Sequence, residues 1–278
     1  MLTTDDHRRD SAGLRYVYPV VSRRAGGVSI GINLNPNNAC NWACLYCQVE
    51  NLTRGGPPPI DLDRLESELE GFLGDVLEGD FMQREVPPEA RRLMDVAFSG
   101  NGEPTSAPEF AEAVVRVGKV LQRFGQIGKL VVRLITNGSL LHRPEVQRGV
   151  RHLAELGGEV WFKVDRALPD EIAEINGVPG LPDRVAKNLG LCASLAPTWV
   201  QTCWFALDGA APSMTSRMAY CDLLRPLAEK LEGVHLYGLA RPSLQAAAPR
   251  LSALPVDDLV DLAMLIEKET GIRVLISP

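Results

Sequence analysis

Long apolar runs, excess positive charge and abundant cysteine are all missing from this sequence of 278 residues. No stretch approaches the roughly 18 consecutive apolar residues that span a bilayer. The polar start, MLTTDDHRRDSAG, has no apolar core like that of a signal peptide. Both absences lead us to expect a cytoplasmic chain with no membrane association. Residues 1–14 are expected to form a flexible N-terminal arm ahead of one domain over 15–278. Lys and Arg number 29 against 35 Asp and Glu, a net charge of −6, which excludes the broad basic field of a nonspecific nucleic-acid binder. Arg23 and Arg24 remain local candidates for meeting a substrate anion. Six cysteines are too few for a disulfide scaffold. No linker rich in Gly, Ser or Pro, short repeat or low-complexity tract divides the chain, and 45% hydrophobic residues can build a substantial core.

What is present is an alternation. VSIGINLNP (28–36), RLMDVAFSG (92–100), KLVVRLITNG (129–138), EVWFKVD (159–165), TWVQTCWFAL (198–207) and VHLYGLA (234–240) read as six strands, with IRVLIS (272–277) as a short terminal one. Helical spacing fills the intervals: from Asp61 to about 79, then about 107–124, 144–156, 169–176, 182–195, 214–231 and 256–270. Strands recurring every roughly 30 to 40 residues argue for parallel βαβ units. The class is α/β, either an open doubly wound sheet or a curved partial barrel, and periodicity leaves that choice open. In both, ligands bind at the carboxyl ends of strands. The unusual loops lie there: NPNNACNWACLYC after the first strand, SGNGEP after the second, TNGS after the third and DRA after the fourth.

Half of the cysteines, Cys40, Cys44 and Cys47, fall within eight residues as C-x3-C-x2-C. Structural zinc takes four ligands from paired half-sites, but no second C-x2-C exists and His7, His142, His152 and His235 are remote in sequence. A thiol-disulfide pair of Cys44 and Cys47 leaves Cys40 unexplained. Inert buried thiols do not suit a loop as polar as Pro36, Asn37, Asn38 and Asn41 make this one. An iron-sulfur cube accounts for the spacing better than these three, since three thiolates leave one iron open to a small molecule. Cys192, Cys203 and Cys221, 11 and 18 residues apart with no C-x2-C, read as buried thiols.

CNWACLYC resembles the signature of the radical S-adenosylmethionine (SAM) enzymes, C-x3-C-x-aromatic-C, with Tyr46 as the aromatic. FSGNGEPT (98–105) resembles that superfamily's second-strand G-G-E-P motif, with Asn101 in place of the first glycine. The resemblance runs from PVVSRRAGGVSIGINLNP through LITNGSL and FKVD to LYGLARP. The combination looks like the Fe-S oxidoreductase subgroup related to wyosine-base synthases. It implies a partial (β/α)6 barrel of parallel strands with outer helices. It further implies a [4Fe-4S] cluster on Cys40, Cys44 and Cys47 whose open iron chelates the amine and carboxylate of SAM. Reductive cleavage would give methionine and a 5′-deoxyadenosyl radical that abstracts hydrogen from an unidentified substrate, a small molecule, peptide or modified nucleotide. An external one-electron reductant of flavodoxin or ferredoxin type is implied as well.

By the same resemblance, Gly100, Asn101, Gly102 and Glu103 meet the methionine end of SAM, with Glu103 accepting from its ammonium group. Tyr46 and the backbone at 237–241 flank the adenine. Asn137 ends the third strand at an Asn-Gly turn and is a candidate SAM contact. Lys163 and Asp165 alternate with apolar neighbours, so they share one side of the fourth strand, where relatives bind the ribose hydroxyls or the carboxylate. Gln201, polar in an apolar strand, needs a partner if buried. Plainer readings stand beside these: a solvated turn for Glu103, an ion pair for Lys163 and Asp165, a backbone partner for Gln201. Wyosine-base synthases bind a further cluster through cysteines upstream of this loop, and no cysteine precedes Cys40. The competing function is an iron-sulfur electron-transfer protein without SAM cleavage.

Overall fold

The computed structural model describes residues 2, 12–22 and 26–277. Most of the arm expected at 1–14, together with Arg23 and Arg24, lies outside the described residues. The chain divides into two compact units, one of Met1–Asn41, Gly55–Thr136 and Arg143–Glu159, the other of Trp42–Arg54, Asn137–His142 and Val160–Pro278.

The first unit holds β1 (Val17–Ser22), β2 (Gly27–Ile32), β3 (Leu93–Phe98) and β4 (Val131–Thr136), side by side in that order. β2, β3 and β4 are parallel, with Ile32 opposite Phe98 and Asp95 opposite Val131. All six residues of β2 are buried, as expected of a strand covered on both faces. β1 is absent from the sequence pattern. It pairs antiparallel with β2, Val17 opposite Ile32 and Ser22 opposite Gly27. Pro19 hides it, because a proline argues against a central strand; here it sits opposite Ile30 on the edge strand, where a missing N–H is tolerated.

The longest helices of this unit are α1 (Leu62–Leu77), α2 (Phe110–Arg123) and α3 (Pro144–Glu155), and a short helical segment, Phe81–Glu85, follows α1. Asp61 caps α1 by accepting the Arg64 N–H at 3.0 Å. Leu65, Leu69, Phe72, Leu73 and Val76 form its buried face at helical spacing. Glu66 on α1 accepts from Arg116 and Arg123 on α2, each at 2.7 Å. Those two guanidinium groups hold its carboxyl below the usual range, so this modest contribution is present at neutral pH and is lost on acidification.

The second unit contains β5 (Glu159–Lys163, from its second residue on), β6 (Thr198–Cys203), β7 (Gly233–Tyr237) and β8 (Val274–Ser277), all parallel. Around them are α4 (Pro169–Asn176), α5 (Pro182–Ala193), α6 (Met214–Leu224) and α7 (Val256–Thr270). Several boundaries differ from the sequence pattern: β5 stops at Lys163, so Asp165 lies beyond the strand, and β7 stops at Tyr237. β6 ends at Cys203, and the remainder of TWVQTCWFAL becomes a loop with a two-residue bridge, Ala206–Leu207 against Leu251–Ser252. The helix expected over 214–231 stops at Leu224, because Pro226 converts the remainder to a 3-10 turn, Arg225–Lys230.

Register and alternation decide what one face of this unit's strands presents. Trp161 lies opposite Trp199, and Lys163 opposite Gln201, which in turn lies opposite His235. The His235 ring lies 4.5 Å from the ring centres of both Trp161 and Trp199, tilted relative to each. Among the described residues, no helix is long and apolar enough to cross a membrane.

Candidate functional site

The chain passes from the first unit to the second between Asn41 and Trp42, inside the cysteine loop. Each unit therefore carries its own part of the candidate set.

In the first unit, β2 runs directly into the asparagine-rich segment that precedes Cys40. Asn33 Oδ1 accepts from the backbone N–H groups of Asn35 (3.0 Å) and Asn101 (3.1 Å). Asn35 Nδ2 donates to the Ala39 carbonyl at 3.0 Å, and Asn38 Oδ1 accepts from Asn101 Nδ2 at 2.7 Å. Asn38 itself adopts φ 56°, a left-handed conformation that asparagine tolerates. These side chains tie the Cys40 arm to the SGNGEP loop. Asn101, standing where the related motif has glycine, is held by both its backbone and its side chain. The left-handed glycine of this loop is Gly100, at φ 140°.

Gly102 sets how close the two segments come. A Cβ there would lie 2.1 Å from the Ala39 carbonyl oxygen and 2.7 Å from the Asn35 amide, so only glycine fits without backbone movement. Gly102→Ala is expected to cost about 1–3 kcal/mol as an overpacking substitution, read as a lower urea midpoint at unchanged slope.

Glu103 is 3% exposed, and its Oε1 accepts from Thr105 N (3.1 Å), Thr105 Oγ1 (2.6 Å) and Thr136 Oγ1 (2.6 Å). It caps the 3-10 turn Pro104–Ser106 and ties that turn to the end of β4. This is not the solvated turn of the plainer reading. The carboxylate is built into the first unit; Thr105 closes the FSGNGEPT stretch, whereas Thr136, 33 positions away, was not signalled by it.

In the second unit the hub is Asp165, 2% exposed, just beyond β5. Its Oδ2 accepts from the Tyr46 hydroxyl at 2.5 Å and from Asn176 Nδ2 at 2.9 Å, and its Oδ1 accepts from Cys203 N at 3.1 Å. Lys163 Nζ lies 4.7 Å from the centre of the Tyr46 ring, which packs against Phe205. Tyr46, Lys163 and Asp165, singled out separately in the sequence, are thus brought together. Arg166, the next residue, is wedged 3.9 Å from the Trp204 ring and donates to the carbonyls of Asp165, Cys203 and Phe205.

Electrostatics follow from this packing. Burial, reinforced by the Asp165 carboxylate, raises the Tyr46 phenol well above its usual range. Burial pushes the Cys44 thiol up to about 12, with Lys163 pulling the other way. Burial also presses on the Lys163 ammonium, but Tyr237 and Asp165 foremost outweigh it and leave that pKa raised.

The cysteine loop rests on the last turn of α4. Ala43 N donates to the Asn176 carbonyl (3.0 Å) and Leu45 N to that of Ile175 (2.8 Å). From the other side Ser243 Oγ donates to the Leu45 carbonyl (2.6 Å), and Gln245 Nε2 donates to those of Cys47 (3.1 Å) and Val49 (2.8 Å). Asn176, Ser243 and Gln245 were not among the sequence candidates.

Two other candidates have distinct surroundings. Asn137 Oδ1 accepts from Ser139 N (3.0 Å) and Ser139 Oγ (2.8 Å), the turn that Asn-Gly predicts. Gln201 is 2% exposed, and its Oε1 has no hydrogen-bond partner among the described residues. A buried acceptor left this way calls for an explanation.

Cys40, Cys44 and Cys47 are partly exposed, whereas Cys192, Cys203 and Cys221 are buried, as the sequence led us to expect of the latter three. Among the described residues, no three His, Cys, Asp or Glu side chains are gathered at metal-holding range. Maleimide is expected to label the three loop thiols in the native protein and to spare the other three until denaturation, as read by peptide mass spectrometry. The Cys44 rate should climb about tenfold per pH unit between about pH 7 and 10, because only the thiolate reacts and its pKa lies above that range. Equal labelling of all six native thiols would contradict the burial.

The fold class is an α/β partial barrel with outer helices, as the sequence resemblance implied, its strands parallel except for the antiparallel edge strand β1. No family model matches the chain. Among solved structures it is similar to a radical SAM methyltransferase from Sphaerobacter thermophilus, at TM-score 0.59 and 16% identity, over 94% of this chain and 68% of that one. Streptococcus suis SuiB bound to S-adenosylmethionine is similar at TM-score 0.56 and 11% identity, over 91% of this chain and 47% of that one. A third, anSMEcpe with bound AdoMet and Cp18Cys peptide, gives 0.54 and 20%, covering 89% and 62%. These likenesses establish the fold. In curated sequences, GTPase Obg of Brachyspira hyodysenteriae is 30% identical over 132 residues, 46% of this chain but only 16% of that protein.

Proposed function

We propose that this chain is a radical SAM enzyme, with one radical SAM domain over 15–278. Cys40, Cys44 and Cys47 would hold a [4Fe-4S] cluster with SAM as its partner cofactor. When bound, they supply one-electron cleavage of SAM to methionine and a 5′-deoxyadenosyl radical that abstracts hydrogen from the substrate. The carrying observation is the sorting of the six cysteines: the three of the C-x3-C-x2-C loop are the partly exposed ones, in a chain with this fold. The donor set fits the group, because a thiolate-ligated cube needs several accessible sulfurs on one loop, and the Cys44 sulfur already accepts an N–H hydrogen bond, from Asn176 Nδ2.

The chain's own residues then bind and orient. Gly100, Asn101 and Gly102 form the backbone for the methionine end, and Glu103 takes part in receiving its ammonium while capping the following turn. Tyr46, Lys163 and Asp165 fix the second half of the cysteine loop and its charge. Asn137 borders the cofactor at the third strand, and Gln201 accepts an N–H or O–H from whatever lies on its face of the sheet, which a pure electron carrier does not require. An external flavodoxin- or ferredoxin-type protein supplies the electron. Within the superfamily, the motifs favour the Fe-S oxidoreductase subgroup related to wyosine-base synthases. The substrate in this reading is a small molecule, peptide or modified nucleotide, and the compartment is the cytoplasm.

The test is anaerobic reconstitution with iron and sulfide, followed by dithionite and SAM, with 5′-deoxyadenosine measured by chromatography. Its formation in step with methionine is the expected result. A four-iron spectrum without SAM cleavage would replace this reading by the electron-transfer one, and a colourless zinc protein would overturn both.

A further inference from the structure

We propose that Asn176 is a positioning residue for Cys44: its side-chain amide fixes the orientation of that sulfur and raises the reduction potential of the cluster the sulfur helps to hold. The inference rests on the reading of the loop cysteines as cluster ligands and goes beyond it, since neither the motif nor the spacing points to residue 176.

The geometry is that of one nitrogen serving two acceptors. Asn176 Nδ2 lies 2.9 Å from Asp165 Oδ2 and 3.4 Å from Cys44 Sγ. An amide nitrogen carries two hydrogens, so both bonds form at once. The direction of the amide follows from chemistry: the Asp165 carboxylate only accepts, and its Oδ2 also receives the Tyr46 hydroxyl at 2.5 Å. Turning the amide over would set its carbonyl oxygen against that carboxylate.

Nor can the amide or the sulfur drift. Asn176 is 2% exposed and is the last residue of α4 before the left-handed Gly177, at φ 64°. The N–H groups on either side of Cys44, those of Ala43 and Leu45, bond to the carbonyls of Asn176 and Ile175. The same helical turn that supplies the amide therefore grips the backbone that presents the thiol. A donor fixed on a ligand sulfur stabilises the more negative, reduced state of an iron-sulfur cluster, which moves its potential upward.

The experiment is a redox titration of the reconstituted protein without SAM, followed by the electron paramagnetic resonance signal of the reduced cluster, with iron and sulfide analysed in parallel. Asn176→Leu keeps the approximate volume and removes the donor. The expected result is a full complement of iron with a potential shifted to more negative values, and with Asn176→Gln, which keeps an amide, between Leu and the wild type. Unchanged potential in a fully loaded Asn176→Leu protein would overturn the proposal. If that variant does not fold, the wild type labelled with 15N-asparagine answers instead: a 15N coupling to the reduced cluster in pulsed resonance is expected, and its absence overturns the proposal. A wild-type protein that takes up no four-iron cluster, recognised by iron analysis alone, defeats the cluster reading and this inference with it.

Discussion

With alanine at Cys47, reconstituted protein is expected to retain a four-iron cluster roughly 100-fold less well or worse, and to release no detectable 5′-deoxyadenosine. The scale follows from metal sites in general: loss of an outer hydrogen-bond partner alone costs about 10- to 100-fold in affinity, and a missing thiolate costs more. Cys40→Ala and Cys44→Ala should behave alike. Cys192→Ala supplies the contrast, because Cys192 is fully buried and burial pushes its thiol up to about 12. That variant should lose some stability as a trimmed core residue and keep its iron. Iron analysis after desalting separates the two groups, and equal retention by Cys47→Ala and Cys192→Ala would remove the basis for assigning the loop.

Asp165→Ala is the second large effect. Three buried donors meet on that carboxylate, the Tyr46 hydroxyl, the Asn176 amide and the Cys203 N–H, and truncation leaves all of them without it. Breaking a buried charged network by removing one partner costs about 3–5 kcal/mol, which for a chain of this size lowers the thermal midpoint on the order of 10 °C. Asp165→Asn keeps the shape and should fall between. If Asp165 were one half of a solvated ion pair with Lys163, the plainer sequence reading, the cost would stay under about 1 kcal/mol. Calorimetry of the protein without cluster distinguishes these outcomes independently of any catalytic assay.

Local patterns carried the parts of this molecule whose cause is local. Alternating apolar runs located the parallel strands, Pro144 and Asp61 marked helix starts, and three cysteines with Tyr46 marked the loop. β1 escaped because Pro19 argues against a strand, and the rule is relaxed only where a strand is an edge, a fact of tertiary arrangement. Asn176, Ser243 and Gln245 escaped for another reason. Asn176 reaches Cys44 across 132 positions, and Ser243 reaches Leu45 across 198, so no window of sequence contains both partners. The asparagines before Cys40 read only as a polar loop; their role as ties to the Asn101 segment depends on two strand ends being neighbours. Even Glu103, visible in its motif, concealed how fully two threonines engage it.

In the proposed reading, where the bound molecule meets Gln201, that side chain also governs selectivity. Leaving its Oε1 buried and unmet costs about 1–3 kcal/mol. Any molecule that brings an N–H or O–H to that oxygen recovers this free energy, and an analogue methylated at the same position does not. The difference corresponds to about five- to 150-fold in affinity, so one side chain on β6 would exclude close chemical look-alikes before any reaction begins.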